Sequence, residues 1–267
     1  MKALGRRELM ALAGGGLAVA AFSAARAQAP ASAGAPSPKL LDELVAANRI
    51  LADQGVVDGF GHVSARHDKR PDRFLLARSM APGLVTPADI MEFDLDGVAV
   101  DPRGRTPYIE RFIHSEIFRA RADVGAVVHS HNPALIPFGV SKVPLRPVYH
   151  MASFLGAGAP VFEIREVAGP QSDMLIRDVR LGRALARTLG RSTVALMRGH
   201  GAVVVGDNVK TAVMHAVYAQ IDAVVQAQAM QLGPVTYLNP SEAAKIAPQN
   251  DALVDKNWDL WRAHALK

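Results

Sequence analysis

Two histidines one residue apart, His129 and His131, close the run Val124-Gly-Ala-Val-Val-His129-Ser-His131. The β-branched residues before them predict a buried strand. Side chains at i and i+2 on a strand leave the same face, so both imidazoles can close on one metal ion. A histidine pair on the wet end of a strand is the competing reading of that spacing. His200 stands between Gly199 and Gly201, where the missing side chains let a third ligand or a substrate come close, although a histidine in such a loop is more often structural. Glu110 opens a helical stretch that leads into the His129 strand and shares a helix face with His114, four residues on. A carboxylate at a helix start also suits a capping or dipole role.

The elements that must position these residues are readable in outline. Ser37 caps and Pro38 begins a helix carrying Leu40, Leu41, Leu44, Val45 and Leu51, which Gly55 ends. Gly61-His-Val-Ser-Ala-Arg66 and Arg73-Phe-Leu-Leu-Ala-Arg78 predict two paired strands, followed by a loop at Ser79–Gly83. Phe93–Val100 carries Asp96-Gly97, a hairpin signal. Residues 110–121 predict a helix, 172–189 an amphipathic helix, and 208–232 a long helix with Val209, Val213, Val217, Ile221, Val224 and Val225 mostly on one side. Two β-runs flank His200. Trp258 and Trp261, three apart, suggest a terminal helix docked on this core or on a neighbouring subunit.

The N-terminus reads as an address. Lys2, Arg6 and Arg7 precede an apolar stretch from Leu9 to Ala25, broken by Gly14-Gly15-Gly16 and ended by Ala25-Arg26-Ala27. The stretch is too short for a membrane span. Gly5-Arg6-Arg7-Glu8-Leu9-Met10 resembles a twin-arginine export signal, so residues 1–27 are expected to direct a folded chain to the periplasm without lasting membrane insertion. Residues 28–37 are low in complexity and are expected to be a disordered linker.

The remaining residues, 38–267, suit one domain. The net charge of +5 falls to about +2 without residues 1–27, whose Lys2, Arg6, Arg7 and Arg26 oppose Glu8 alone. No basic run interleaved with aromatics suggests a nucleic-acid surface. Cysteine is absent, which excludes disulfides, thiolate metal sites and cysteine nucleophiles.

Gly61-His-Val-Ser64, Glu110 with His114, His129-x-His131 and Gly199-His200-Gly201 follow the order and spacing of the class II aldolase/adducin family, and the chain resembles it over most of residues 40–230. The resemblance implies an α/β fold of three αβα layers around a mixed, mainly antiparallel β-sheet, and a homotetramer with active sites between subunits. It implies that His129, His131 and His200 bind one divalent ion, Zn or Mn with Fe or Co as options. Glu110 would be the acid/base and a possible fourth ligand. Sugar-phosphate aldolases of the family have Asn where His62 stands, a Thr-Pro-Ser-Gly-like loop where Ser79-Met-Ala-Pro-Gly83 stands, and a Ser-Ser pair at Tyr108-Ile109. These departures remove most of the phosphate's hydroxyl donors. They place the chain nearer the metal-dependent decarboxylases of hydroxylated aromatic or pyridine dicarboxylates. His62, Ser64, Arg66, Arg78 and Ser79 are then expected to bind a small-molecule substrate, and His150, near the family's inter-subunit tyrosine position, to return a proton. An aldolase or epimerase on a small hydroxy-carbonyl or sugar-phosphate substrate is the alternative enzyme. An adducin-like scaffold is the alternative outside catalysis.

Overall fold

Ser37 Oγ accepts from Leu40 N, and Pro38, which has no N–H to leave unpaired, opens the first helix. In the computed structural model, which describes residues 29–267, the elements run α1 Pro38–Asp53, β1 His62–Arg66, β2 Arg73–Ala77, β3 Ile90–Asp94, α2 Arg111–Ala120, β4 Ala126–Ser130, α3 Ile136–Val140, β5 Val161–Phe162, α4 Arg165–Ala168, α5 Val179–Leu189, β6 Val194–Met197, β7 Gly201–Gly206, α6 Val209–Leu232, α7 Pro240–Asp251 and α8 Val254–Ala265. The proposed export signal lies outside the described residues. Among those described, no helix is long and apolar enough to cross a membrane.

The seven strands form one sheet in the order β3-β2-β1-β4-β7-β6-β5. Every pairing is antiparallel except β5 with β6. Strand alternation divides the core into two layers. Ala126 and Val128 of β4 face α1, α6 and α8, whereas Val127 faces α2 and α5. The architecture is the expected three-layer α/β fold with a mixed, mainly antiparallel sheet. Trp258 and Trp261 of α8 are buried in the chain's own core, beside α1 and α6.

Three segments add detail to the sequence pattern. The amphipathic pattern from 172 becomes helix only at Val179, where Asp178 accepts from Leu181 N as the cap. Residues before it form turns, with Met174 at φ 69°. On α6, Val209, Val213 and Val217 are buried, but Ile221, Val224 and Val225 continue the apolar side onto the surface. The stretch read as a linker has no helix or strand, yet it is strapped to the domain. Glu92 accepts from Ser32 Oγ (2.6 Å) and Ala33 N (2.7 Å), and Arg73 donates to Ala31 O.

Candidate metal centre

β4 delivers the two histidines to one end of the sheet on its α2/α5 side. His129, its last inward residue but for the exit, is fully buried, and His131 follows as the chain leaves the strand. The β6–β7 turn brings His200 to the same place. Gly199 there has φ 62°, and a Cβ on Gly201 would lie 1.9 Å from Ser130 O, so only glycine allows β7 to approach β4 this closely. Glu110 stands at the start of α2, but its side chain makes no capping hydrogen bond. Oε1 instead accepts from Ile176 N at 2.9 Å, the backbone of the turn that the sequence pattern presents as helix.

The result is a convergence of one ligand atom each from Glu110, His129, His131 and His200, all within 4.8 Å of one another. His131 Nε2 is 3.2 Å from His129 Nε2 and 3.0 Å from His200 Nε2. Glu110 Oε2 is 3.4 Å from His129 Nε2 and 3.5 Å from His200 Nε2. His129 Nδ1 lies 3.1 Å from Ala202 O, which can only accept, so the proton is on Nδ1 and the Nε2 lone pair faces the cluster. The centre therefore holds more acceptors than protons to share. Three imidazoles and a carboxylate, with no sulfur, fit a divalent cation.

Charge states agree with that fit. Burial and the neighbouring His129 and His200 bring His131 down to about 4, leaving it neutral at pH 7. Burial pushes the Glu110 carboxyl up, but its proximity to His129 and His200 outweighs burial and holds the group well below the carboxylate range. Glu110 is ionised.

The other expected site residues separate. His62 is the cross-strand partner of His129, their ring centroids 5.1 Å apart. Ser64 is corrected as a substrate contact: it is fully buried and its Oγ lies 2.6 Å from His114 Nδ1. Arg66 is corrected likewise, because four residues along β1 its guanidinium donates to the carbonyls of Pro71, Phe118, Arg121 and Val124. Arg78 is engaged by Asp89 at 2.6 Å, so a substrate carboxylate would have to displace that partner. Ser79 is exposed in its loop, and His150 is exposed on the 3₁₀ turn His150–Leu155, outside the four-residue cluster.

Sequence reasoning missed Ile176 and did not place His114 or Tyr108 beside His62. His114 lies beneath His62, with Nε2 2.6 Å from His62 Nδ1, and Tyr108 packs on the His62 ring at 4.4 Å. Burial lowers both histidines, His114 to about 3. The available signals were strand alternation, which puts His62 and Ser64 on one face, and the four-residue spacing that puts His114 on the face of Glu110.

The profile of the Class II Aldolase and Adducin N-terminal domain matches residues 42–227. The chain is 35% identical over 235 residues to the decarboxylase tropJ of Talaromyces stipitatus, covering 79% of this chain and 88% of that one. It is 33% identical to a 3,4-dihydroxyphthalate decarboxylase of Terrabacter sp., covering 66% of this chain and 75% of the relative. The crystal structure of an aldolase II superfamily protein from Pseudomonas syringae shares the fold with a TM-score of 0.70 at 24% identity, covering 85% of this chain and 92% of that one. The chain belongs to the class II aldolase and adducin family.

Proposed function

We propose that this protein is a divalent-metal-dependent carbon-carbon lyase, a decarboxylase of a hydroxylated aromatic or heteroaromatic carboxylic acid. The observation that carries the proposal is the convergence of Glu110, His129, His131 and His200 in a chain whose similar relatives are named decarboxylases. A bound Zn or Mn ion, or Fe or Co in their place, would supply Lewis-acid polarisation of substrate oxygens beside the breaking bond. His129, His131 and His200 would hold it, with Glu110 as a fourth ligand until substrate arrives.

Glu110 starts ionised and is fixed by Ile176 N, so it is set to collect the proton of the substrate's hydroxyl. The carbon-carboxylate bond then breaks with its electron pair left on the ring carbon, and carbon dioxide departs. Glu110 returns the proton to that carbon, and the atoms balance without a further reactant. His150, the alternative proton donor, is exposed in the single chain and would have to act in a neighbouring subunit's site. The exposed Ile221, Val224, Val225 and Met230 on α6 support burial of that face in a homotetramer. We also propose export by the twin-arginine route, from the sequence of residues 1–27.

Metal-loaded protein incubated with hydroxyaromatic dicarboxylates and sugar phosphates should release carbon dioxide from the former. Aldehyde release from a sugar phosphate alone would replace decarboxylation by aldol cleavage. Light scattering checks the tetramer, and N-terminal sequencing of a periplasmic fraction checks export.

A further inference from the structure

Beneath the cluster lies a buried chain of side chains that the proposed proton transfers do not use. Ser64 Oγ is 2.6 Å from His114 Nδ1, and His114 Nε2 is 2.6 Å from His62 Nδ1. Ser64 and His114 are fully buried, and His62 is 4% exposed. Local structure places all three. His62 faces His129 across β1 and β4, Ser64 points the same way two residues later, and His114 comes down from α2 one turn after Glu110.

Two arrangements of protons satisfy these two contacts. In the first, His62 Nδ1–H donates to His114 Nε2, His114 Nδ1–H donates to Ser64, and the Ser64 hydroxyl must donate elsewhere. Among the described residues Ser64 Oγ has no second partner. That arrangement seals an unpaired O–H in the core, which is unfavourable. In the second, Ser64 donates to His114 Nδ1 and His114 Nε2–H donates to His62 Nδ1. Every atom in the two contacts is then paired, and the remaining proton sits on His62 Nε2. His62 Nε2 has no partner among the described residues and is not one of the polar atoms sealed without one. It opens beside His129.

We infer that His62 is a fixed hydrogen-bond donor to an anionic substrate oxygen, its Nε2–H tautomer set by the positioning residues His114 and Ser64. The identity of that oxygen, a carboxylate or phenolate, rests on the proposed decarboxylation; the tautomer does not. A donor that cannot accept favours an oxygen bearing negative charge and disfavours an amino group in the same place. His62 is not the acid that protonates the ring, because passing its proton on would end the chain in a serine alkoxide. It holds and stabilises the anion while Glu110 moves the proton.

The test is long-range ¹H–¹⁵N correlation on the full chain labelled with ¹⁵N-histidine, with His62→Gln and His114→Gln spectra giving the assignments. Expected is His62 protonated at Nε2 and bare at Nδ1, with the Nε2 signal moved by salicylate, the probe for an anionic hydroxyaromatic ligand. Ser64→Ala should lose the single-tautomer pattern and about tenfold in kcat/KM with bound metal unchanged, whereas Ser64→Thr, which keeps the hydroxyl, should retain both. A proton on His62 Nδ1, no response to salicylate, or a wild-type pattern in Ser64→Ala overturns the inference. If Ser64→Ala does not fold, the wild-type spectrum decides. Failure of the substrate panel to release carbon dioxide is distinguishable, because the tautomer is recorded without substrate.

Discussion

His129 Nδ1 donates to the carbonyl of Ala202 across 3.1 Å, so strand β7 decides which nitrogen of a β4 histidine faces the cluster. The same pairing of β4 with β7 sets His200 opposite the end of β4. Sheet register and ligand tautomer are thus one structural decision.

His131→Ala should lose the ion and turnover together. At Zn²⁺ about 100-fold above its Kd, wild-type protein should gain about 2.7 kcal/mol of stability and the variant almost none. Metal analysis and urea unfolding with and without Zn²⁺ check this. Retained metal in the variant would remove His131 from the ligand set.

Glu110→Gln keeps an oxygen for Ile176 N and removes the proton-carrying carboxylate. Metal content should persist while kcat falls by about 10²–10⁴. Normal turnover in single-turnover kinetics would take the acid/base role away from Glu110.

Asp222 on α6 is fully buried; Oδ1 accepts from Val148 N, while Oδ2 has no partner among the described residues. Burial pushes its carboxyl up to about 7, partly offset by the N–H groups of Val148 and Tyr149. The unfolded carboxyl has its ordinary value of 3.8. The fold therefore favours the protonated form, and its contribution is full below about pH 4 and lost as pH rises through 7. Asp222→Asn should stabilise the protein at pH 8 relative to pH 4, by roughly 2–4 kcal/mol. Urea unfolding at both pH values decides; an equal effect at each would contradict the assignment.

Gly201→Ala places a methyl group against Ser130 O and should destabilise by about 1–3 kcal/mol or more. Because His200 is its neighbour, metal affinity should fall as well. Unfolding curves and calorimetric Zn²⁺ titration measure the two effects separately.

The residues that converge were legible wherever a local rule applied. Strand alternation joined His129 to His131, the flanking glycines singled out His200, and Ser37-Pro38 set the start of α1. Long-range backbone partners were not legible. Arg66 reads as a free cation, yet folding carries carbonyls from two separate loops and the end of α2 onto its guanidinium. Ile176 lies inside an apolar period that suits a helix, and only Glu110, 66 residues earlier, explains why its N–H is withheld from one. The strap at Ala31–Ser37 has a tether's composition, and its order comes from Glu92, Arg73 and Asp68 on the far side of the turn that follows α1.

The four converging groups come from the start of α2, the end of β4 and the β6–β7 turn, separated by up to ninety residues; the β4–β7 pairing joins the histidines, and Ile176 N holds Glu110 beside them. A nascent chain has only the His129/His131 pair close in sequence, so the complete cage forms late and full loading reports completed assembly. If the chain is exported already folded, the ion is chosen where folding finishes. Cytoplasmic metal availability, rather than that of the compartment where the protein works, would then select its element.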